Sequence, residues 1–353
     1  MNLIDNIEIK NFKSIRHQKI EGCKRINVFI GYPNVGKSNI LEALSLGSYL
    51  NNRKDYASLN SIARFDKFKE LFNNGNLKIP VEIIFNAHLK LTFEYNNTTN
   101  LNFRVSESKN VGQDSSQNVW NPHFTKSGDN VDIKSLDYDN RILKDDKPNF
   151  NFNLFKYEFL KNKFVVEISA LHLSFPYGEN LFEVLRYNND LRKDCGELLK
   201  DYNLKFLFED NNELKITRQI DDNTYFSIPF SQIADTLQRL FFYKAALATN
   251  KNSVLLLEEP EAHMFPPYIR KLTTDILLDK SNQFFLTTHS PYVLDELILD
   301  SGDELSVYLV DYKNGETIIH YLSKEDLTEV REYGVDLFFN IESYLNHGQV
   351  NNS

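Results

Sequence analysis

The chain has 353 residues, 41 % hydrophobic and 25 % charged, with a formal net charge of −9. That composition excludes a mostly disordered chain, and no apolar run nears the roughly 18–20 residues that cross a bilayer. The acidic total speaks against coating nucleic acid non-specifically, which needs clustered Lys and Arg.

At roughly 100–200 residues per domain there is room for two or three lobes. The start, Met1–Asp5, lacks a basic region followed by an apolar run, so no secretory signal is read. Cys23 and Cys195 make neither a disulfide framework nor a metal-ligand pattern. A cytoplasmic protein without membrane partners is expected. Residues 1–40 hold seven Lys or Arg against three Asp or Glu, a local charge of +4. Either a basic edge faces DNA or an acidic partner, or these are ordinary solvated lysines.

In chain order, Asn2–Asn11 alternates Leu3, Ile7 and Ile9 with polar residues and predicts a strand. Arg25–Ile30 predicts a buried strand, followed by a glycine-containing loop and a helix over Ser38–Tyr49. Ile79–Phe85 and His88–Tyr95 read as paired strands. Thr98–Asn130, poor in apolar residues, reads as loop-rich. Residues 165–205 read as mainly helical, and Lys205–Ile228 as two or three short strands. Gln232–Ala248 predicts a helix, Asn252–Leu257 a strand, Tyr268–Leu278 a helix and Asn282–Thr287 a strand. Pro291–Leu299 starts a helix. Ser306–Tyr321 reads as a hairpin turning at Asn314-Gly315 in a type I′ turn. Leu327–Leu345 reads as a closing helix.

Three segments carry chemistry. Gly31-Tyr32-Pro33-Asn34-Val35-Gly36-Lys37-Ser38 matches the phosphate-loop pattern between a strand and a helix. Its glycines let backbone N–H groups wrap phosphate oxygens, and the following helix adds its positive end. Lys37 is expected to reach the β- and γ-phosphates of ATP, and Ser38 to bind Mg²⁺. Ser253–Leu257 then ends in Glu258 and Glu259. Glu258 is assigned to the metal and Glu259 to the attacking water. Phe284–Thr288 ends in His289, placed to sense the γ-phosphate.

Together these segments resemble the ABC-type ATPases of the RecF, SMC and OLD group. Ile9-Lys10-Asn11-Phe12-Lys13-Ser14 is similar to that group's first strand, and Gly36–Ala43, with Asn39, to its phosphate loop and helix. Glu258-Glu259-Pro260-Glu261-Ala262-His263 is similar to the OLD-like Walker B, and Thr287–Pro291 to the switch-histidine segment. The resemblance implies an α/β P-loop NTPase head with a β-rich lobe and an inserted helical lobe. Residues 1–50 and 225–353 would form the nucleotide-binding core and 51–224 the insertion. It also implies hydrolysis between two subunits, the second supplying a signature loop. The candidate is Ala234, Asp235 and Thr236, with Ala234 and Thr236 where Ser and Gly are usual and with Thr236 or Arg239 as the substitute contact.

Departures from the pattern imply slow turnover. No glutamine occurs from residue 19 to 112, so Asn73, Asn74 or Asn76 would replace the Q-loop residue. Met264-Phe265-Pro266-Pro267 stands where this branch usually has Leu-His-Pro. The middle of the chain has no heptad repeat, which removes an SMC-like coiled coil. Sixty-four residues follow His289, too few for the Toprim nuclease of OLD proteins, so any nuclease is expected on a separate chain. The chain thus resembles the stand-alone ATPase components of bacterial anti-phage systems, such as the AriA component of PARIS. That implies a homo-oligomer holding an effector protein until a phage protein triggers release. The competing reading is a RecF-like, ATP-gated DNA-binding protein of repair, and a metabolic or transport ATPase is a third.

Overall fold

The computed structural model describes residues 3–51, 59–96, 100–107, 117–120, 123–127, 130–132, 152–161, 171–209 and 213–350. The chain opens with hairpin β1 (Ile7–Phe12) and β2 (Ile15–Ile20), then β3 (Ile26–Ile30) and α1 (Lys37–Ser45). After α2 (Leu59–Ile62) come β4 (Val81–Phe85), β5 (Leu89–Asn96), β6 (Asn100–Glu107), β7 (Gln117–Trp120), β8 (His123–Ser127) and β9 (Asn130–Asp132). Next are β10 (Asn153–Tyr157), α3 (Leu181–Tyr187), α4 (Asn189–Lys200), β11 (Leu204–Phe208), β12 (Leu214–Gln219) and β13 (Tyr225–Pro229). The last third holds α5 (Asp235–Thr249), β14 (Ser253–Glu258), α6 (Pro266–Leu278), β15 (Gln283–Thr287) and α7 (Pro291–Asp300). It closes with β16 (Leu305–Lys313), β17 (Glu316–Tyr321), α8 (Lys324–Tyr333) and α9 (Leu337–Val350).

The central sheet runs β10-β14-β15-β3-β16-β17, parallel except for β17. A second, antiparallel sheet runs β2-β1-β4-β5-β6-β8-β9, with β7 paired to β6. β11, β12 and β13 form a small third sheet. The pleat sends alternate side chains of the central strands to opposite faces. Ile26, Val28 and Ile30 pack with Leu240 of α5, Leu272 of α6 and Leu297 of α7. Phe29, Leu256 and Phe285 pack on the other face with Ile40, Leu41 and Leu44 of α1 and Ile7 and Ile9 of β1. Helix α1 is therefore wedged between the two sheets. Each such apolar side chain contributes roughly 1.5–3 kcal/mol when fully buried.

Several expectations change. Within Thr98–Asn130 the described residues form β6, β7, β8 and the start of β9, built from polar sequence on the outer part of a sheet, where loops were expected. The closing segment is two helices, because Gly334 takes a left-handed φ of 63° and caps α8. In the region 165–205 the described helices are α3 and α4, from Leu181 onward, while 162–170 lies outside the described residues. Strand β2 was not anticipated. Its sequence, IRHQKI, buries only its two isoleucines. Strand β10 lies within the stretch assigned to the insertion, yet it joins the central sheet beside β14. Asn314 and Gly315 both have positive φ, 53° and 83°, as a type I′ hairpin turn requires.

Candidate functional site

Strands β14, β15 and β3 are neighbours and parallel, so their carboxyl ends share one edge. The phosphate loop follows β3, the paired glutamates end β14, and His289 follows β15. Ligands of open α/β sheets bind beyond such an edge.

The loop is clamped by its surroundings. A Cβ on Gly31 would run into the Val310 carbonyl of β16. Gly36 has φ +103°, and a Cβ there would meet the hydroxyls of Thr317 and Ser14. Those hydroxyls lie 2.6 Å apart. Thr317 donates to the Val35 carbonyl at 2.8 Å, and Asn39 Nδ2 donates to Ser14 Oγ at 2.7 Å. Asn34 also adopts a left-handed φ, 62°. Helix α1 starts at Lys37 with no acidic residue in its first turn, leaving its positive end free for an anion. The buried Lys37 ammonium donates to the carbonyls of Gly31 (2.9 Å) and Tyr32 (2.8 Å). Burial, only partly opposed by the Glu259 carboxylate, pulls its pKa down to about 8.

The two glutamates point differently because Glu259 turns to φ 42°, a left-handed conformation that costs a non-glycine residue about 1–2 kcal/mol. Its N–H is held by the Thr287 carbonyl at 3.1 Å. Glu259 Oε1 lies 3.3 Å from His289 Nε2, and both side chains are partly open to solvent. Burial and the Lys37 charge push His289 below the usual imidazole range, against the pull of Glu259. Glu258 turns inward. Burial works against its ionisation, but Lys156, the Ser38 hydroxyl and Arg64 outweigh it and hold the carboxyl below its ordinary value.

Several partners in this corner belong to none of the three motifs. Fully buried Glu42 of α1 pairs with Lys13 and with Arg64 Nε at 2.6 Å. Arg64 reaches on to Glu258 Oε1 at 3.1 Å. Lys156, buried on β10, lies 3.4 Å from Glu258 Oε2 and 3.5 Å from Glu158 Oε2. A lone lysine inside the apolar run Leu154–Tyr157 was the available clue. Behind His289, buried Glu261 accepts from the Thr288 hydroxyl at 2.5 Å and the His289 N–H at 3.1 Å. Burial raises its pKa, and its other oxygen has no hydrogen-bond partner among the described residues.

Other candidates are placed elsewhere. Asn73 donates to the Lys13 carbonyl in the β1–β2 turn (2.7 Å), whereas Asn74 donates to Asn73 (3.2 Å) and Asn76 accepts from the Lys78 N–H (3.2 Å) within their own turn. The groups flanking Glu258 come instead from β10 and Arg64. In the signature-like segment, Ala234 caps α5 without a side-chain bond and Asp235 pairs with Arg239 at 2.8 Å. The Thr236 hydroxyl donates to the His263 carbonyl at 3.1 Å. Arg239 also lies over the Phe159 ring, 4.9 Å from its centroid.

Among the described residues no three His, Cys, Asp or Glu side chains converge on a metal by themselves. Ser38 and Glu258 instead fit Mg²⁺, which is commonly held by one or two protein groups plus substrate phosphates and water.

Fold and site together define a P-loop ATPase domain of the ABC type. The SMC head bound to the winged-helix domain of ScpA superposes with a TM-score of 0.51 and 15 % identity, over 92 % of this chain and 99 % of that one. At that identity the likeness is one of fold. A family profile described as "AAA domain, putative AbiEii toxin, Type IV TA system" matches residues 26–295, and the chain belongs to that family. An ATP/GTP phosphatase of Helicobacter pylori is 24 % identical over 340 residues, covering 84 % of this chain and 88 % of the relative. RecF of a Thermoanaerobacter species is 30 % identical over 109 residues, covering 30 % of this chain and 27 % of RecF. No helix among the described residues is long and apolar enough to cross a membrane.

Proposed function

We propose that this chain binds ATP with Mg²⁺, hydrolyses it slowly, and assembles into a homo-oligomeric scaffold controlling a separate effector protein in defence against phage. The observation that carries the ATPase reading is the junction at one sheet edge of Lys37, of Ser38 beside Glu258, and of Glu259 facing His289. In this reading the α1 N–H groups and Lys37 bind the phosphates. Ser38 and Glu258 hold Mg²⁺, which would supply charge neutralisation at the triphosphate. Glu259 takes the proton of the attacking water, and His289, braced by Glu261 through its N–H, donates to the γ-phosphate. A phosphatase acting on ATP or GTP among the relatives supports hydrolysis.

Slow turnover is supported by the signature-like segment. Asp235 puts a negative charge in the first turn of α5, where a partner's γ-phosphate would approach. The family description, naming a toxin–antitoxin system, supports a protein that works with a second chain.

The RecF-like alternative, an ATP-gated DNA clamp, is favoured by the local identity to RecF. It is disfavoured because six of the seven basic residues of 1–40, all but exposed Lys19, are turned to other uses. Lys10 pairs with Glu8 and Glu82, Lys13 with Glu42, Arg16 with Glu316 and buried Arg25 with Glu304. Lys24 donates to the Leu305 carbonyl and Lys37 to its own loop. The mass of Glu259→Gln by light scattering, with ATP–Mg²⁺ and without nucleotide, separates the readings. A scaffold is a multimer in both states. A monomer that dimerises only with ATP contradicts the scaffold and turns attention to DNA.

A further inference from the structure

We propose that the metal corner of the nucleotide site is already neutralised by the protein's own cations, Lys156 and Arg64, so that a divalent ion must compete with them for Glu258. The inference rests on the reading of this site as an ATP–Mg²⁺ site. Both carboxylate oxygens of Glu258 face a cation, Oε1 towards Arg64 at 3.1 Å and Oε2 towards Lys156 at 3.4 Å. The wider cluster is balanced before any metal arrives. Lys13, Arg64 and Lys156 stand against Glu42, Glu258 and Glu158.

The two cations differ in freedom. Lys156 is 2 % exposed, and its residue pairs with Leu256 in the ladder between β10 and β14, so its backbone is fixed in the sheet. The Arg64 side chain is 64 % exposed and hangs from the segment after α2. Arg64 is therefore the group that yields Glu258 to a metal, while Lys156 stays as a fixed positive charge beside it. Like charges at such a distance repel strongly in a partly buried site. Two consequences follow: a triphosphate is held with little help from the metal, and the metal is held loosely.

The test uses the full chain and Mn²⁺ as the probe ion. Binding of a fluorescent non-hydrolysable ATP analogue is measured first with Mg²⁺, which tests the site assignment, and then in EDTA. If, with Mg²⁺, Lys37→Ala binds as well as wild type, or neither binds, the underlying site assignment fails. With that assignment upheld, wild type should lose no more than about tenfold in nucleotide affinity without metal. Free Mn²⁺ is then followed by electron paramagnetic resonance in the presence of the bound analogue. Arg64→Ala and Lys156→Met should each tighten Mn²⁺ on the order of tenfold, and Arg64→Lys should stay near wild type. Arg64→Ala leaves Glu42 paired with Lys13, so it carries the test even if Lys156→Met does not fold. Unchanged or weaker Mn²⁺ binding in Arg64→Ala overturns the proposal, as does nucleotide binding in wild type that collapses without metal.

Discussion

The phosphate-loop corner and the signature-like start of α5 differ in which polar groups they leave open. Around Gly31–Ser38 the helix start carries no acidic residue, and Glu259 and His289 stay partly open to solvent, while Lys37, Glu42 and Glu258 are paired within the chain. At Ala234–Arg239 the groups are satisfied within the same chain: Asp235 by Arg239, Thr236 by His263, Arg239 also by Phe159. One half of an ABC-type site is thus assembled and electrostatically tuned, while the half that would serve a neighbour is closed on itself. The contrast favours a chain that holds nucleotide by itself over one that needs a partner to bind it.

Predictions from this contrast run from large effects to small. Glu259→Gln should cut phosphate release on the order of 10²–10⁴-fold, the usual worth of a positioned base, while labelled ATP still binds. Turnover at the wild-type rate would move the base elsewhere. Lys37→Ala should weaken labelled ATP about 100-fold in an anisotropy titration, since it removes charge-assisted bonds worth about 1.5–3 kcal/mol each.

A pH effect follows from the depressed Lys37. The free protein carries this ammonium below about pH 8 and loses it above, and only the charged form attracts phosphate. ATP affinity should therefore fall as pH rises from 7 to 9, by at most about tenfold per unit above the midpoint. Calorimetry in two buffers of different ionisation enthalpy at pH 8.5 should detect a proton taken up on binding, and Lys37→Ala should lose it. The smallest effect belongs to the closed half. Thr236→Val should change turnover by less than about twofold, since its hydroxyl serves the His263 carbonyl with a bond worth about 0.5–1.5 kcal/mol. A loss of a hundredfold would mean that α5 opens to reach a partner's nucleotide.

What the sequence made legible were groups that arrive with a local pattern. Gly31–Ser38, Glu258-Glu259 and His289 each follow an apolar strand, and the parallel pairing of those strands brings them to one edge. Arg64, Lys156 and Glu42 come from three distant segments, and only the folded sheets bring them together. Lys156 also disguised β10, because a charged residue in a short apolar run following Asn-rich sequence does not read as a core strand. Strand β2 was hidden for a related reason: it is held by pairing to β1 and needs apolar residues only at its ends. The Q-loop expectation looked for an amide by type; Asn74 and Asn76 bond within their own turn and Asn73 reaches the Lys13 carbonyl.

The most direct test is the ATP affinity of Glu259→Gln measured over a wide range of protein concentration, with the assembly state followed in parallel. A half-site complete in one chain predicts one ATP per chain, at an affinity that does not change with protein concentration. Binding that appears only as chains associate would contradict it, because the groups from α5 would then have to be part of the binding site.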